Sequence, residues 1–219
     1  MLFHNLKLQF REINKIHTGL KLYEKDGMVI IHGYLGFTVT ILDEIYSDQY
    51  KIAIFITNKY PKKLPTVIET NKRIIRSDEN HINGDGSLCV GRYPEIRKIL
   101  MPTYSLNDYI EKIVINYLSQ YSYKEKHGKW PYGESNHGAT GIFDYYLEQY
   151  PNILKSKEDV INLLLKIKEA NYRPKGYMRC NCGCNKLIKN CKFQKLLKSI
   201  RKFEKNVQEY MLDIDKIGG

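Results

Sequence analysis

Two groups of residues in this chain could do chemistry. The first is a solitary cysteine, Cys89, in the run His81-Ile82-Asn83-Gly84-Asp85-Gly86-Ser87-Leu88-Cys89-Val90-Gly91. Its glycines, Asn and His describe an irregular loop. The next cysteine lies more than ninety residues further on. A thiol in such a loop is a nucleophile when its surroundings stabilise the thiolate. The bland alternative is a buried small hydrophobe, the usual state of a free cysteine. The second group is Cys180, Cys182, Cys184 and Cys191, all within twelve residues. In a reducing compartment such a cluster points to a metal ion rather than to disulfides.

The elements that must position Cys89 can be read in order. Leu6, Phe10, Ile13 and Ile16 predict a helix over residues 4–17. Leu20–Tyr23, Met28–Leu35 and Gln49–Thr57 predict three strands, with Asp26-Gly27 as a tight turn between the first two. Short connections favour an antiparallel meander. Pro61 and Pro65 then fix a rigid extended crossing before a short strand, Thr66 to Glu69. After the Cys89 loop, Pro94 and Pro102 keep the next segment from becoming one continuous helix. Ser105 starts the clearest helix. Leu106, Tyr109, Ile110, Ile113, Val114, Tyr117 and Leu118 form its core-facing stripe, and Ser105 with Asp108 resembles a capping box.

A loop around the only Trp, Trp130, carries Glu134 and His137. Helices follow over Ala139–Tyr150 and from Ser156 to Ala170, the second apolar almost all round and so expected to be buried on more than one side. Asn171–Lys175 reads as a linker. A basic amphipathic helix closes the chain, with a stripe of Phe193, Leu196, Leu197, Ile200, Phe203, Val207 and Met211.

The 219 residues suit one ordinary domain plus a small module, and 42% hydrophobic content allows a real core. The net charge is +11, but between Lys175 and Lys205 ten Lys and Arg face a single acid, Glu204. The first 170 residues are therefore close to neutral, which argues against nucleic-acid binding by the main domain. No apolar run reaches the roughly 20 residues that cross a bilayer, and the N-terminus lacks signal-peptide features. The expected location is the cytoplasm, away from membranes.

Taken together, the first 120 residues resemble the ubiquitin-conjugating (UBC) enzyme fold. The order is a helix, a meander, a Tyr-Pro…Pro crossing, a flap with Asn83, a cysteine after Gly86-Ser87-Leu88, and a helix. The family's run is His-Pro-Asn, a variable loop, then Gly-Ser-(Ile/Leu)-Cys-Leu. Here Ile82 replaces the proline, and the gap from Asn83 to Cys89 is shorter than in the usual eukaryotic pattern. The short Asp85-Gly86-Ser87-Leu88-Cys89 form and the Trp130-Pro-Tyr-Gly-Glu…His137-Gly138 segment resemble bacterial relatives, in particular the conjugating component of antiphage CBASS operons. The resemblance implies an α+β fold with a four-stranded antiparallel meander. It implies that Cys89 carries a protein C-terminus as a thioester and passes it to an amine. The transferred group would be a cGAS-like nucleotidyltransferase or a ubiquitin-like protein.

Within that chemistry, Asn83 is a candidate donor to the oxyanion of the tetrahedral intermediate, against a purely structural loop role. His81 is read as holding the flap by hydrogen bonds. Asp85 is a turn residue or an activator of the incoming lysine. Glu134 and His137 either supply a general base over the thioester or serve as a solvated acid and a helix cap. No Gly-x-Gly-x-x-Gly after a strand and no Walker-type loop is present, so a separate activating enzyme or a pre-activated donor is required.

The cysteine quartet resembles the SEC-C zinc motif. The first two cysteines, Gly183, Lys186, Lys189 and Cys191 fit, while Lys192 stands at the final ligand position and Cys184 where the motif has Ser. Cys184 as fourth thiolate would give a structural zinc site of four cysteines. Three thiolates with water, or a metal-free cluster, are the alternatives. The expected domains are residues 1–150 (conjugating-enzyme-like), 151–174 (helical extension and linker) and 175–219 (zinc knuckle and basic helix). The basic helix is read as a docking surface for an acidic partner, with nucleic acid as the less favoured reading. The rivals for the whole chain are an idle UBC-like binding module and a nucleic-acid-binding protein acting through the tail. Gly218-Gly219 is read as a frayed terminus.

Overall fold

A computed structural model of the chain describes residues 2–101, 103–136, 138–169, 173–180 and 182–204. The chain divides into two compact units, Met1–Ser135 and Asn136–Gly219. Each is an independent packing problem.

The first unit is built on four antiparallel strands in the order β1 (Leu20–Lys25), β2 (Met28–Ile41), β3 (Glu44–Ile56), β4 (Thr66–Glu69). Asp26 and Gly27 both take left-handed backbone, as a two-residue hairpin turn requires. One face of the sheet is apolar by alternation: Val29, Ile31, Leu35, Ile52, Ile54 and Ile56 are buried. Helix α1 (Leu2–Ile16) packs on β1, burying Leu6 and Ile13. A long helical run covers β2 and β3. It comprises α3 (Leu106–Tyr109), a π turn (Ile110–Val114) and α4 (Ile115–His127). Its expected stripe, from Leu106 to Leu118, is buried throughout. Fully burying each such Leu or Ile contributes about 1.5–3 kcal/mol.

Strands β2 and β3 run further than the sequence pattern predicted. They pair from Val29–Ile56 to Ile41–Glu44, closed by Leu42 and Asp43 in left-handed backbone. Gly33 must be glycine: its φ is +134°, and a Cβ there would stand 2.1 Å from the Gly19 carbonyl oxygen where β1 crosses close. The proline crossing is tied to the helical run. The Tyr60 hydroxyl donates to the Tyr104 carbonyl, and Tyr109 donates to the Pro65 carbonyl at 2.8 Å. Pro94 sits in the first turn of a short helix, α2 (Tyr93–Leu100), where its missing N–H costs nothing. Ser105 caps α3 by accepting from the Asp108 amide, but the Asp108 carboxylate pairs with Lys112 at 2.9 Å.

The second unit packs α5 (Gly138–Gln149), α6 (Lys157–Lys168) and α7 (Lys192–Glu204) around one apolar cluster. Ile142, Phe143, Tyr145 and Tyr146 of α5 are buried in that cluster with Leu163, Leu164, Leu196 and Leu197. For this reason the boundary falls at Ser135–Asn136, and α5 belongs with the second unit rather than with residues 1–150. Ser156 and Asp159 form a full capping box on α6. Only one side of α6 is buried, since Leu165 is 46% exposed. In α7, Phe193, Leu196, Leu197 and Ile200 face the core as the spacing predicted. Val207, Met211 and the two terminal glycines lie outside the described residues. No helix among the described residues is long and apolar enough to cross a membrane.

Candidate functional site

Cys89 sits at the end of a small two-stranded ribbon. Ile82 and Leu88 pair across it, their side chains buried in the core. The Asn83 amide donates to the Ser87 carbonyl at 2.8 Å, and the Cys89 amide donates to the His81 carbonyl at 2.7 Å. The Leu88 amide donates to Val67 of β4 at 2.8 Å, which hangs the ribbon on the sheet. His81 enters the ribbon in left-handed backbone, and Asn83 and Ser87 lie on the turn side of the buried Ile82–Leu88 pair, with Cys89 on the other side. Cys89 is half-buried, while Asn83 and Asp85 are exposed.

The turn of the ribbon is closed by its own side chains. Asn83 Nδ2 donates to Ser87 Oγ at 2.9 Å, and Ser87 Oγ donates to Asp85 Oδ1 at 2.6 Å. The Ser87 amide donates to the same carboxylate oxygen at 2.9 Å. These bonds, with Arg76 nearby, hold the Asp85 carboxyl below its ordinary value. The Asp85 carboxylate is thereby tied into the turn. At Gly86 φ is +85°, and a Cβ would meet the Arg76 guanidinium at 2.4 Å, so a cation lies close to the backbone just before the thiol segment.

The strand that carries His81 and Asn83 is pinned from the other side. A 3-10 turn, Asp78–Asn80, is capped by Ser77, and His81 follows in left-handed backbone. Tyr117 of α4 donates to the Asn80 carbonyl at 2.5 Å, and Trp130 Nε1 donates to the Glu79 carbonyl at 3.0 Å. Lys124 Nζ reaches Asn80 Oδ1 at 2.9 Å and lies 5.0 Å from the Trp130 ring centre. The His81 ring is 4.6 Å from the Trp130 ring. Burial, with Tyr121 and Cys89 close by, pushes the Tyr117 phenol far up, so it stays a neutral donor.

Further back, Glu69 gathers the backbone N–H groups of Asn71 (2.6 Å), Arg73 (2.9 Å) and Ile74 (3.3 Å). Arg73 is clasped by Asp48 (2.8 and 2.7 Å) and Glu125 (3.1 and 2.6 Å) and lies 4.3 Å from the Tyr50 ring centre. Burial alone would raise the Asp48 carboxyl, but hydrogen bonds from Arg73, Ser122 and the Gln49 amide outweigh it and hold it low. The loop leading into the Cys89 ribbon is therefore fixed at both ends. Sequence reasoning missed Tyr117, Lys124, Glu69 and Arg73 as supports. Their partners are distant in the chain, and only the paired side chains disclose the roles.

Glu134 lies exposed in the loop after Trp130. His137 lies outside the described residues.

The cysteine quartet is a second centre. Residues 176–180 and 186–189 form a ribbon, with the Arg179–Leu187 bridge and a Cys180 amide bond to the Lys186 carbonyl at 2.8 Å. The turn between them uses left-handed Gly183 and Asn185. It folds Cys180, Cys182 and Cys184 onto Cys191, which stands just before α7. All four Sγ atoms lie within 4.8 Å of one another. Individual separations are 3.2 Å (Cys180–Cys182), 3.5 Å (Cys182–Cys191) and 3.6 Å (Cys184–Cys191). A tetrahedral ion with bonds to sulfur of about 2.3 Å would need edges of about 3.8 Å. The tight spacing of the first three cysteines therefore does not prevent convergence, and the four thiols could hold a metal ion.

Donors support this cluster. The Cys182 amide and Gln194 Nε2 both point to Cys180 Sγ, at 3.4 and 3.6 Å. A hydrogen bond from the Lys186 backbone brings the Cys184 thiol down to about 7. Cys182 and Cys184 are exposed and border a cavity of about 440 Å³. No family model matches this chain, and no curated protein matches it.

Proposed function

We propose that the first unit is a UBC-like conjugating domain that carries an acyl group on Cys89 and transfers it to an amine. The observation that carries this reading is the half-buried Cys89 at the end of a ribbon whose turn is held by Asn83, Ser87 and Asp85. The ribbon hangs on β4 of a four-stranded antiparallel meander and is buttressed by a long helix, the order of elements that the family resemblance implies.

In the loading step the Cys89 thiolate attacks the carbonyl carbon of an activated C-terminus. A C–S bond forms, and the activating group leaves with its electron pair. In the transfer step an amine attacks the thioester carbon and the carbonyl oxygen takes up negative charge. Asn83 Nδ2 has two hydrogens. One serves Ser87, and the other can be directed to that oxyanion. Collapse breaks the C–S bond, returns the thiolate to Cys89 and releases the amine proton to solvent or a base. A donor of this kind contributes about 3–4 kcal/mol in comparable oxyanion holes.

By the same resemblance, the transferred protein is a cGAS-like nucleotidyltransferase or a ubiquitin-like protein, activated by a separate enzyme, in cytoplasmic bacterial antiphage defence. The cysteine quartet is read as a structural zinc site, with Cys180, Cys182, Cys184 and Cys191 as ligands. Zinc bound there would tie the ribbon to the start of α7.

Intact-mass analysis after co-expression with the neighbouring genes tests the enzyme reading. An adduct on the wild type that hydroxylamine or thiol removes, and that Cys89→Ala lacks, is the expected result. A wild type that never acquires an adduct, with Cys89 slow towards iodoacetamide, would leave an idle binding module.

A further inference from the structure

The cysteine ribbon and the start of α7 expose a second surface, unrelated to Cys89. Lys186, Lys189, Lys192, Lys195 and Lys198 recur at every third position, and all five are exposed. On α7 successive members rise about 4.5 Å and stay on the side opposite the buried Phe193–Ile200 stripe. No Asp or Glu occurs between Glu169 and Glu204. Even after the charge of a four-thiolate divalent centre is subtracted, this stretch stays strongly positive. The ribbon also holds large apolar side chains out in solvent: Tyr177 is 70% exposed, Met178 49% and Leu187 37%. Lys175 Nζ lies 5.9 Å from the Tyr177 ring centre.

We infer that this surface binds single-stranded nucleic acid, with the lysine ladder on the phosphates and Tyr177 as a stacking platform for a base. Three arguments select this occupant. Exposed aromatics beside a cationic track are what non-specific single-strand binding requires. Protein interfaces are depleted in lysine, whereas this ladder is lysine throughout, so an acidic protein face fits less well. A membrane-surface helix must turn its apolar face to lipid, but the apolar face of α7 is buried against the other helices of its unit.

The test is fluorescence anisotropy of the full chain with labelled oligo-dT and oligo-U of about 20 nucleotides, titrated between about 50 and 200 mM salt. Binding should fall with salt at a log–log slope of about −2 to −4, at roughly 0.7 per phosphate contact. Lys192→Gln/Lys195→Gln/Lys198→Gln should flatten the slope by about 2 and weaken binding at least about tenfold. Lys195→Gln alone should flatten it by about 0.7, which keeps the test open if the triple variant misfolds. Tyr177→Ala should weaken binding about 5- to 100-fold, and Tyr177→Trp should retain it. Cys89→Ala should bind like the wild type, so this result is separable from the fate of the thioester. Absence of binding at the lowest salt overturns the inference. So does binding that ignores Tyr177→Ala while polyglutamate competes equally, which would mark an acidic-protein surface. Binding to anionic phosphatidylserine vesicles but not to either oligonucleotide would also overturn it.

Discussion

The Cys89 amide donates to the carbonyl of His81 at 2.7 Å, so the backbone of His81 fixes the chain at the thiol. His81 adopts left-handed backbone, a conformation that Asn tolerates and β-branched residues resist. His81→Asn should keep thioester formation within about threefold of the wild type. His81→Val should destabilise the fold by about 1–2 kcal/mol and slow loading. Single-turnover loading assays and urea melts separate the two effects. A large loading defect in His81→Asn, with normal stability, would give the ring a proton-transfer role.

Asn83 stands in the turn of the Cys89 ribbon, with Nδ2 donating to Ser87 Oγ. Asn83→Ala should lower the rate of aminolysis by about 10²–10³-fold while leaving thioester formation nearly intact. Discharge of a preformed thioester onto free lysine reads this directly. Equal losses in both steps would instead mean that the Asn83–Ser87 hydrogen bond shapes the ribbon.

Gly86 lies under Arg76. Gly86→Ala should cost about 1–2 kcal/mol for the left-handed backbone alone, plus the clash with the guanidinium. Arg76→Ala should relieve only the second part. A double-mutant cycle in urea should show favourable coupling of about 0.5–3 kcal/mol.

Asp48 links Arg73 to the sheet, with its carboxyl held below the ordinary value. A carboxyl lowered in the folded state contributes stability above its unfolded pKa of about 3.9 and loses it as pH falls through the lower folded value. The wild type should therefore lose stability on acidification through this window. Asp48→Asn should be weaker by about 1–2 kcal/mol at neutral pH and show a shallower acid limb. Thermal melts from about pH 7 to about pH 3 compare the two.

The cysteine quartet predicts a metal requirement for the second unit. Purified protein should carry about one zinc ion per chain, and Cys191→Ser should carry much less. Strong chelators should lower its helical circular dichroism without blocking iodoacetamide labelling of Cys89. Full stability in metal-free, reduced protein would mean that the apolar cluster of α5, α6 and α7 suffices alone.

Much of the frame was legible because local chemistry and long-range packing agree in it. The stripe from Leu106 to Leu118 repeats at helical spacing and is buried as that spacing requires. Pro61 and Pro65 bracket the chain so closely that β4 begins at Thr66, as predicted. The outer halves of β2 and β3 were not legible. Residues such as Thr38, Thr40 and Ser47 there are polar and exposed, Ile45 is 75% exposed, and the Leu42-Asp43 turn lacks glycine. The division at Ser135–Asn136 was not legible, because α5 resembles any other amphipathic helix until Ile142 and Phe143 are seen among the residues of α6 and α7. The site was half legible. Cys89, Asn83 and Asp85 announce themselves by type and spacing, whereas the Tyr117–Asn80 and Arg73–Glu125 bonds join residues 37 and 52 positions apart.

The π turn at Ile110–Val114 has a consequence for how this helix could change length. Such a turn accommodates one residue more than an α-helical turn. Everything after it is rotated by about 100° from the phase that an uninterrupted helix would give. Upstream of it, Leu106 and Tyr109 are buried and α3 packs on α1. Downstream of it, Tyr117 and Tyr121 come round beside Trp130 and the residues before Cys89. Removing a single residue there would make the helix more regular and swing Tyr117 off the Asn80 carbonyl. The irregularity sets the angular offset between the helix's packing surface and its buttress for the Cys89 loop.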